Sequence, residues 1–158
     1  MLLDYFTLIH ILISIVGIAA GFGMLAGLLT GAVLPRWTAW FLWMTIATSV
    51  TGFFFPFKGF TPALLFGVLS LFVLAPTTYA IYGKRLAGRW RGVFVIGAIT
   101  ALYLNFFVLI AQMFQKMPSL IALAPTQSEP AFAVTQGAVL MAFIALGWSA
   151  MKRSRVAY

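Results

Sequence analysis

Stretches of about twenty apolar residues recur along this chain, each closed off by a short connection that carries basic residues or proline. A helix needs roughly 20 mostly apolar residues to cross a ~30 Å hydrocarbon core. Five stretches meet that requirement: Tyr5 to Leu34, Trp37 to Phe57, Thr61 to Tyr82, Val93 to Gln115 and Ala131 to Met151. In lipid an open strand leaves backbone groups unpaired, so helices are the expected element. The reading is an all-α fold, a single transmembrane domain over residues 1–158. At 1.5 Å per residue the first stretch reaches ~45 Å, so it must tilt or protrude. Pro62 sits where a helix start tolerates proline, whereas Pro76 falls inside the third span and is expected to kink it.

Only 8% of the residues are charged and 63% are hydrophobic, against about 25% charged in a soluble domain. The net charge of +8 therefore reads as membrane orientation and not as a nucleic-acid surface. Arg36, Lys84, Arg85, Arg89, Arg91, Lys152, Arg153 and Arg155 fall on one side, and only Lys58 and Lys116 on the other. By the positive-inside bias, the amino terminus is outside and the carboxyl terminus in the cytoplasm. Asp4 and Glu129 then lie outside, and Trp37, Trp40, Trp90 and Trp148 mark the inner boundary. The first segment has an acidic flank and no cleavage signature, and is expected to be a retained span.

Polar residues inside a span are costly unless paired, so they point to packing or function. Thr7, His10, Ser14, Gly17 and Gly21 share a face of the first helix, Thr45, Ser49 and Gly52 one of the second, and Ser70 and Thr77 one of the third. Asn105, Gln112 and Lys116 align on the fourth, and Thr135 and Gln136 lie about a turn into the fifth. His10, Gln112 and Gln136 are each within two turns of the outer end. They are expected to meet in an outward-facing pocket floored by Asn105 and ringed by Lys116, Glu129 and Asp4. The competing reading is interhelical hydrogen bonding, at about 0.6 kcal/mol per group.

Gly23, Gly27 and Gly31 form a ridge at steps of four, and Gly17 with Gly21 a second pair. Small residues at this spacing let helices approach closely, within the bundle or against a second copy or partner protein. The segment 116–130 is too short to span and is expected to form an outer interfacial hairpin or short helix. GKRLAGRWRG and MKRSRVAY are read as topology signals that can also attract anionic headgroups.

With no cysteine and a single histidine, the chain offers no zinc, iron or disulfide cluster. His10 alone cannot supply two axial haem ligands in a monomer, so no cofactor is expected. There is no intramembrane carboxylate pair, phosphate loop or nucleophile elbow.

Two strings, ATSVTGFFFPF and YLNFFVLIAQMFQKMPSLIALAPTQSEPAF, resemble a widespread set of small multi-pass bacterial membrane proteins. The resemblance implies a bacterial inner-membrane location and carries no activity. It draws attention to Asn105, Gln112, Lys116, Pro125, Thr126, Gln127 and Glu129. Two functional classes follow: binding or transport of a small amphipathic ligand, quinone-like or lipid-like, in the outer pocket, or an accessory subunit docking through its glycine face. Oxidoreductase chemistry is a distant third and requires a bound cofactor.

Overall fold

The structure is a computed structural model describing residues 2–56 and 62–156. Phe57, Thr61 and Lys58, a cation expected on the outer side, lie outside the described residues, as do the end of the basic tail and the side chain of Arg155. The elements are α1 (Leu2–Leu29), α2 (Pro35–Gly52), α3 (Pro62–Thr78) continued by a π-helical turn (Tyr79–Gly83), α4 (Trp90–Lys116), α5 (Pro118–Leu123) and α6 (Pro130–Val156). All regular structure among the described residues is helical.

Four helices open on proline: Pro35, Pro62, Pro118 and Pro130. The first N–H groups of a helix have no intrahelical acceptor, so proline loses nothing there and its fixed φ favours the turn. Pro76 stays inside α3, and the irregularity appears one turn later as the π turn, where Lys84 N–H reaches Tyr79 O at 3.0 Å.

The first helix stops at Leu29, five residues before the expected boundary. Gly31 has φ +81°, a left-handed conformation that costs glycine least. It allows Ala32 N–H to bond Gly27 O at 3.0 Å and Gly31 N–H to bond Leu28 O at 3.1 Å. Both bonds satisfy carbonyls at the helix end, the pattern of a Schellman cap. Gly31 therefore ends the helix and is not the third member of a packing ridge.

The other glycines of α1 are closed over from within the chain. A Cβ on Gly17 would lie 3.2 Å from Met44 Cβ, one on Gly21 would be 2.9 Å from Phe41 Cδ2, and one on Gly27 would be 2.7 Å from Leu34 Cγ. Gly23 sits under the Trp37 ring. These pairs, continued by His10 with Thr51, set α2 antiparallel along most of α1. Antiparallel packing recurs between α3 and α4, where Phe66 stacks on Phe107 and Tyr79 meets Trp90 edge-on. It recurs again between α4 and α6 through Tyr103 and Phe143.

Four helices, α1, α3 with its π turn, α4 and α6, are long and apolar enough to cross a membrane. The second expected span is a helix of 18 residues, but a less apolar one. Its inner face is hydroxylated: Thr38, Thr45 and Ser49 are buried, while Trp37, Trp40 and Trp43 face outward. Large apolar side chains are exposed on every long helix, among them Leu8, Ile15, Phe72, Ile96, Val134 and Ile144, as expected of a surface that meets hydrocarbon.

The side-chain core is not spread evenly. Met24, Phe41, Leu42, Leu74, Phe94, Ala98 and Leu102 form one fully packed cluster. It lies toward the end where α1 gives way to α2 and α3 to α4. At that end Arg91 Nη2 donates to Gly31 O at 3.0 Å, and Gly31 faces the Arg153 backbone. Toward the opposite end Ile110, Phe114 and Ala124 form a second, smaller cluster.

Candidate ligand-binding site

Residues of α1, α2, α3 and α4 line a cavity of about 360 Å³, within the range of small-molecule pockets. Each helix contributes one stripe. Thr7, His10 and Ser14 recur at steps of three and four on α1. Thr48, Ser49 and Gly52 come from α2, and Gly67 and Ser70 from α3. Asn105, Gln112 and Lys116 come from α4, and Phe53 and Phe55 after α2 cover one side. Ile11, Ile15, Val108 and Leu109 complete apolar walls.

The hydrogen bonds show which groups are spent. Thr51 Oγ1 donates its one proton to Ala47 O at 2.7 Å and lies 2.8 Å from His10 Nδ1. It can only accept from His10, so Nδ1 carries the proton of neutral His10 and Nε2 is left as an acceptor. The His10 ring also stands edge-on to Phe55 at 5.1 Å. Ser14 Oγ donates to His10 O at 2.7 Å. Asn105 Nδ2 donates to Thr45 Oγ1 at 3.0 Å, which leaves its carbonyl oxygen for another partner. Gln112 is half-buried on the cavity wall and makes no hydrogen bond to any described residue. Lys116 is exposed at the cavity edge.

Of the six expected pocket residues, His10, Asn105, Gln112 and Lys116 line this one cavity, and Gln136 and Glu129 do not. Gln136 Nε2 donates to Phe107 O at 3.1 Å. Phe107 is two residues from Asn105, about 200° around the helix, so α6 engages α4 away from the cavity. Gln136 is buried there with its amide oxygen unpartnered. The ring that was to include Glu129 and Asp4 reduces to Lys116.

Glu129 instead closes its own loop. Its carboxylate accepts from Thr126 Oγ1 at 2.9 Å and from the backbone N–H of Thr126 and Ser128. Gln127 Nε2 ties the same loop to α4 through Ala111 O at 2.7 Å, and Ala124 packs on Ile110 and Phe114. Slight desolvation raises the Glu129 pKa, but these hydrogen bonds outweigh it and hold the group below its ordinary 4.5. A depressed carboxylate contributes stability above its unfolded pKa, and loses it as the pH falls through the folded value. The turn is therefore expected to hold at neutral pH and loosen in acid, seen as faster amide exchange at Thr126 and Ser128 after correction for intrinsic rates. Glu129→Gln should remove that pH dependence. Exchange that stays flat with acid would contradict the assignment.

The amides and the histidine were visible as stripes, but the hydroxyls of Thr48 and Thr51 and the aromatic cover of Phe53 and Phe55 were not anticipated. Thr51 had a signal, since it lies three residues from Thr48 on a span with other hydroxyls. The two phenylalanines follow the end of α2, inside the string ATSVTGFFFPF but on no helical stripe. No family model, curated protein or solved structure matches the chain.

Proposed function

We propose that this is a bacterial inner-membrane protein of five spans, amino terminus outside and carboxyl terminus in the cytoplasm. Its outer-half cavity binds a small amphipathic ligand with a neutral hydrogen-bonding head, quinone-like in its chemistry. The observation that carries the reading is Gln112, an amide with no described partner on the wall of a mostly apolar cavity. An unpaired amide in an apolar setting is costly, and a ligand head group relieves that cost. A ring carbonyl can accept from Gln112 Nε2 or Lys116 Nζ, and a ring hydroxyl can donate to His10 Nε2. The apolar walls take the ring face and the start of a tail.

The fifth crossing is α2. Its 18 residues reach about 27 Å, and its antiparallel pairing with α1 from Trp37 to Thr51 supports a shared depth. Two of the hydroxyls that lower its apolarity, those of Thr45 and Thr51, pair with Asn105 and His10 inside the bundle, whereas the buried Thr38 hydroxyl has no partner among the described residues. The charge distribution supports the orientation: apart from Lys116, the described cations gather at one end. The glycine face that a partner subunit would need is occupied by Trp37, Leu34 and Phe41 of the same chain, so ligand binding is the better supported class.

Titration of the purified protein with a decyl-substituted benzoquinone tests the binding reading. Saturable one-site binding in the ~µM range is expected, about −8 kcal/mol. Partitioning into the detergent with no saturable component would reject it. Reporter fusions test the topology: a periplasmic reporter should be active in the α5 loop, and a cytoplasmic one between α3 and α4. Both chain ends on one side would mean that α2 does not cross.

A further inference from the structure

A second cavity, of about 790 Å³, lies at the basic end of the bundle between α3, the start of α4 and the last turns of α6. Two glycines border it where side chains would otherwise stand, Gly88 just before α4 and Gly92 in its first turn. A Cβ on Gly88 would meet nothing within 4 Å, and one on Gly92 would touch only the tip of Met151 at 3.7 Å. The long wall is apolar, built by Phe72, Pro76 and Ile96. Phe72 is 78% and Ile96 62% exposed, so this wall opens sideways toward lipid.

The mouth is cationic. Arg89 is exposed and has no described partner, whereas Arg91 is pinned through one N–H to Gly31 O and retains its other donors. Lys84 is turned onto the rings of Tyr79 and Trp90, 5.5 and 5.9 Å from their centroids. Among the described residues no carboxylate competes for the two guanidinium groups, because the acidic side chains are those of Asp4 and Glu129, at the other end of the bundle.

We propose that this groove holds one anionic glycerophospholipid, with its phosphate between Arg89 and Arg91 and an acyl chain along Phe72, Pro76 and Ile96. A groove that is apolar along a lateral opening and cationic at one end matches an amphiphile with a negative head. A free anion leaves the apolar wall uncovered, and a zwitterionic head brings an ammonium toward two arginines. The inference requires only that the chain lies in a membrane, and is independent of the outer cavity.

Native mass spectrometry of the full chain in neutral detergent tests it, with phosphatidylglycerol, phosphatidylcholine and inorganic phosphate as probes. One retained phosphatidylglycerol is expected, in preference to phosphatidylcholine. Arg89→Gln should weaken it about fivefold, the effect of one basic group near a charged head. Gly92→Leu should displace it by filling the groove, while Gly137→Leu adds the same bulk where a Cβ meets nothing and should leave it bound. Arg89→Gln changes an exposed side chain, so it reads the site even if Gly92→Leu misfolds. Equal retention of both lipids, unchanged binding in Arg89→Gln, or displacement of phosphatidylglycerol by millimolar phosphate would overturn the proposal.

Discussion

Gln112→Leu is expected to weaken binding of the benzoquinone probe by about 5- to 150-fold, the range for losing a buried hydrogen-bonding partner at 1–3 kcal/mol, with little change in thermal stability. The two readouts separate because Gln112 has no described partner in the protein. Its removal leaves no orphaned neighbour, and leucine replaces it at similar volume. Asn105→Leu gives the contrasting result. It strands the buried Thr45 hydroxyl that Asn105 Nδ2 now meets at 3.0 Å, so it should cost stability as well, about 0.6 kcal/mol for an interhelical bond in a membrane. Equal binding by Gln112→Leu and the parent protein, both folded, would remove Gln112 from the site and the main support for the functional reading.

Gly97→Ala should destabilise the bundle by about 1–3 kcal/mol, the usual cost of overpacking, and lower its unfolding temperature in detergent. Gly97 lies where α4 crosses α3, directly against Thr77. A Cβ there would overlap the Thr77 hydroxyl and sit 3.1 Å from Thr77 Cβ. Thr77 is fully buried and its hydroxyl is fixed to Val73 O at 2.7 Å, so moving it aside breaks that bond. Adding Thr77→Ala should restore much of the loss, because it removes the colliding atoms. Without a hydrophobic driving force between helices in lipid, close contact between small residues carries their association, so a single methyl group matters here. A stable Gly97→Ala protein, or a double variant no better than the single one, would show that α3 and α4 are not in close contact at this point.

Much of this architecture could be read along the chain. The long apolar runs required helices, and Pro35, Pro62, Pro118 and Pro130 announced their beginnings, because proline is cheapest where no N–H is needed. The stripes Thr7–His10–Ser14 and Asn105–Gln112–Lys116 were legible because helical periodicity is local. Gly31 shows where such reading fails. Spacing alone counted it with Gly23 and Gly27, but its left-handed backbone takes it out of the helix. Gln136 shows the same for depth: it sits near the same end of the bundle as Gln112, yet α6 packs on another side of α4 and spends its amide on Phe107 O.

The sequence by itself determined that the described chain is helical, which residues share each helix face, and where its charge collects, since all three depend on neighbours within a few residues. Only the tertiary structure decided which faces meet: that the glycines of α1 are filled by α2 and α4, that four polar stripes line one cavity, and that glycines at the start of α4 border a groove beside two arginines. In a bundle whose outer surface and core are equally apolar, hydrophobicity does not tell a helix which way to turn. Steric fit and a few hydrogen bonds between distant residues do, and no local pattern records them.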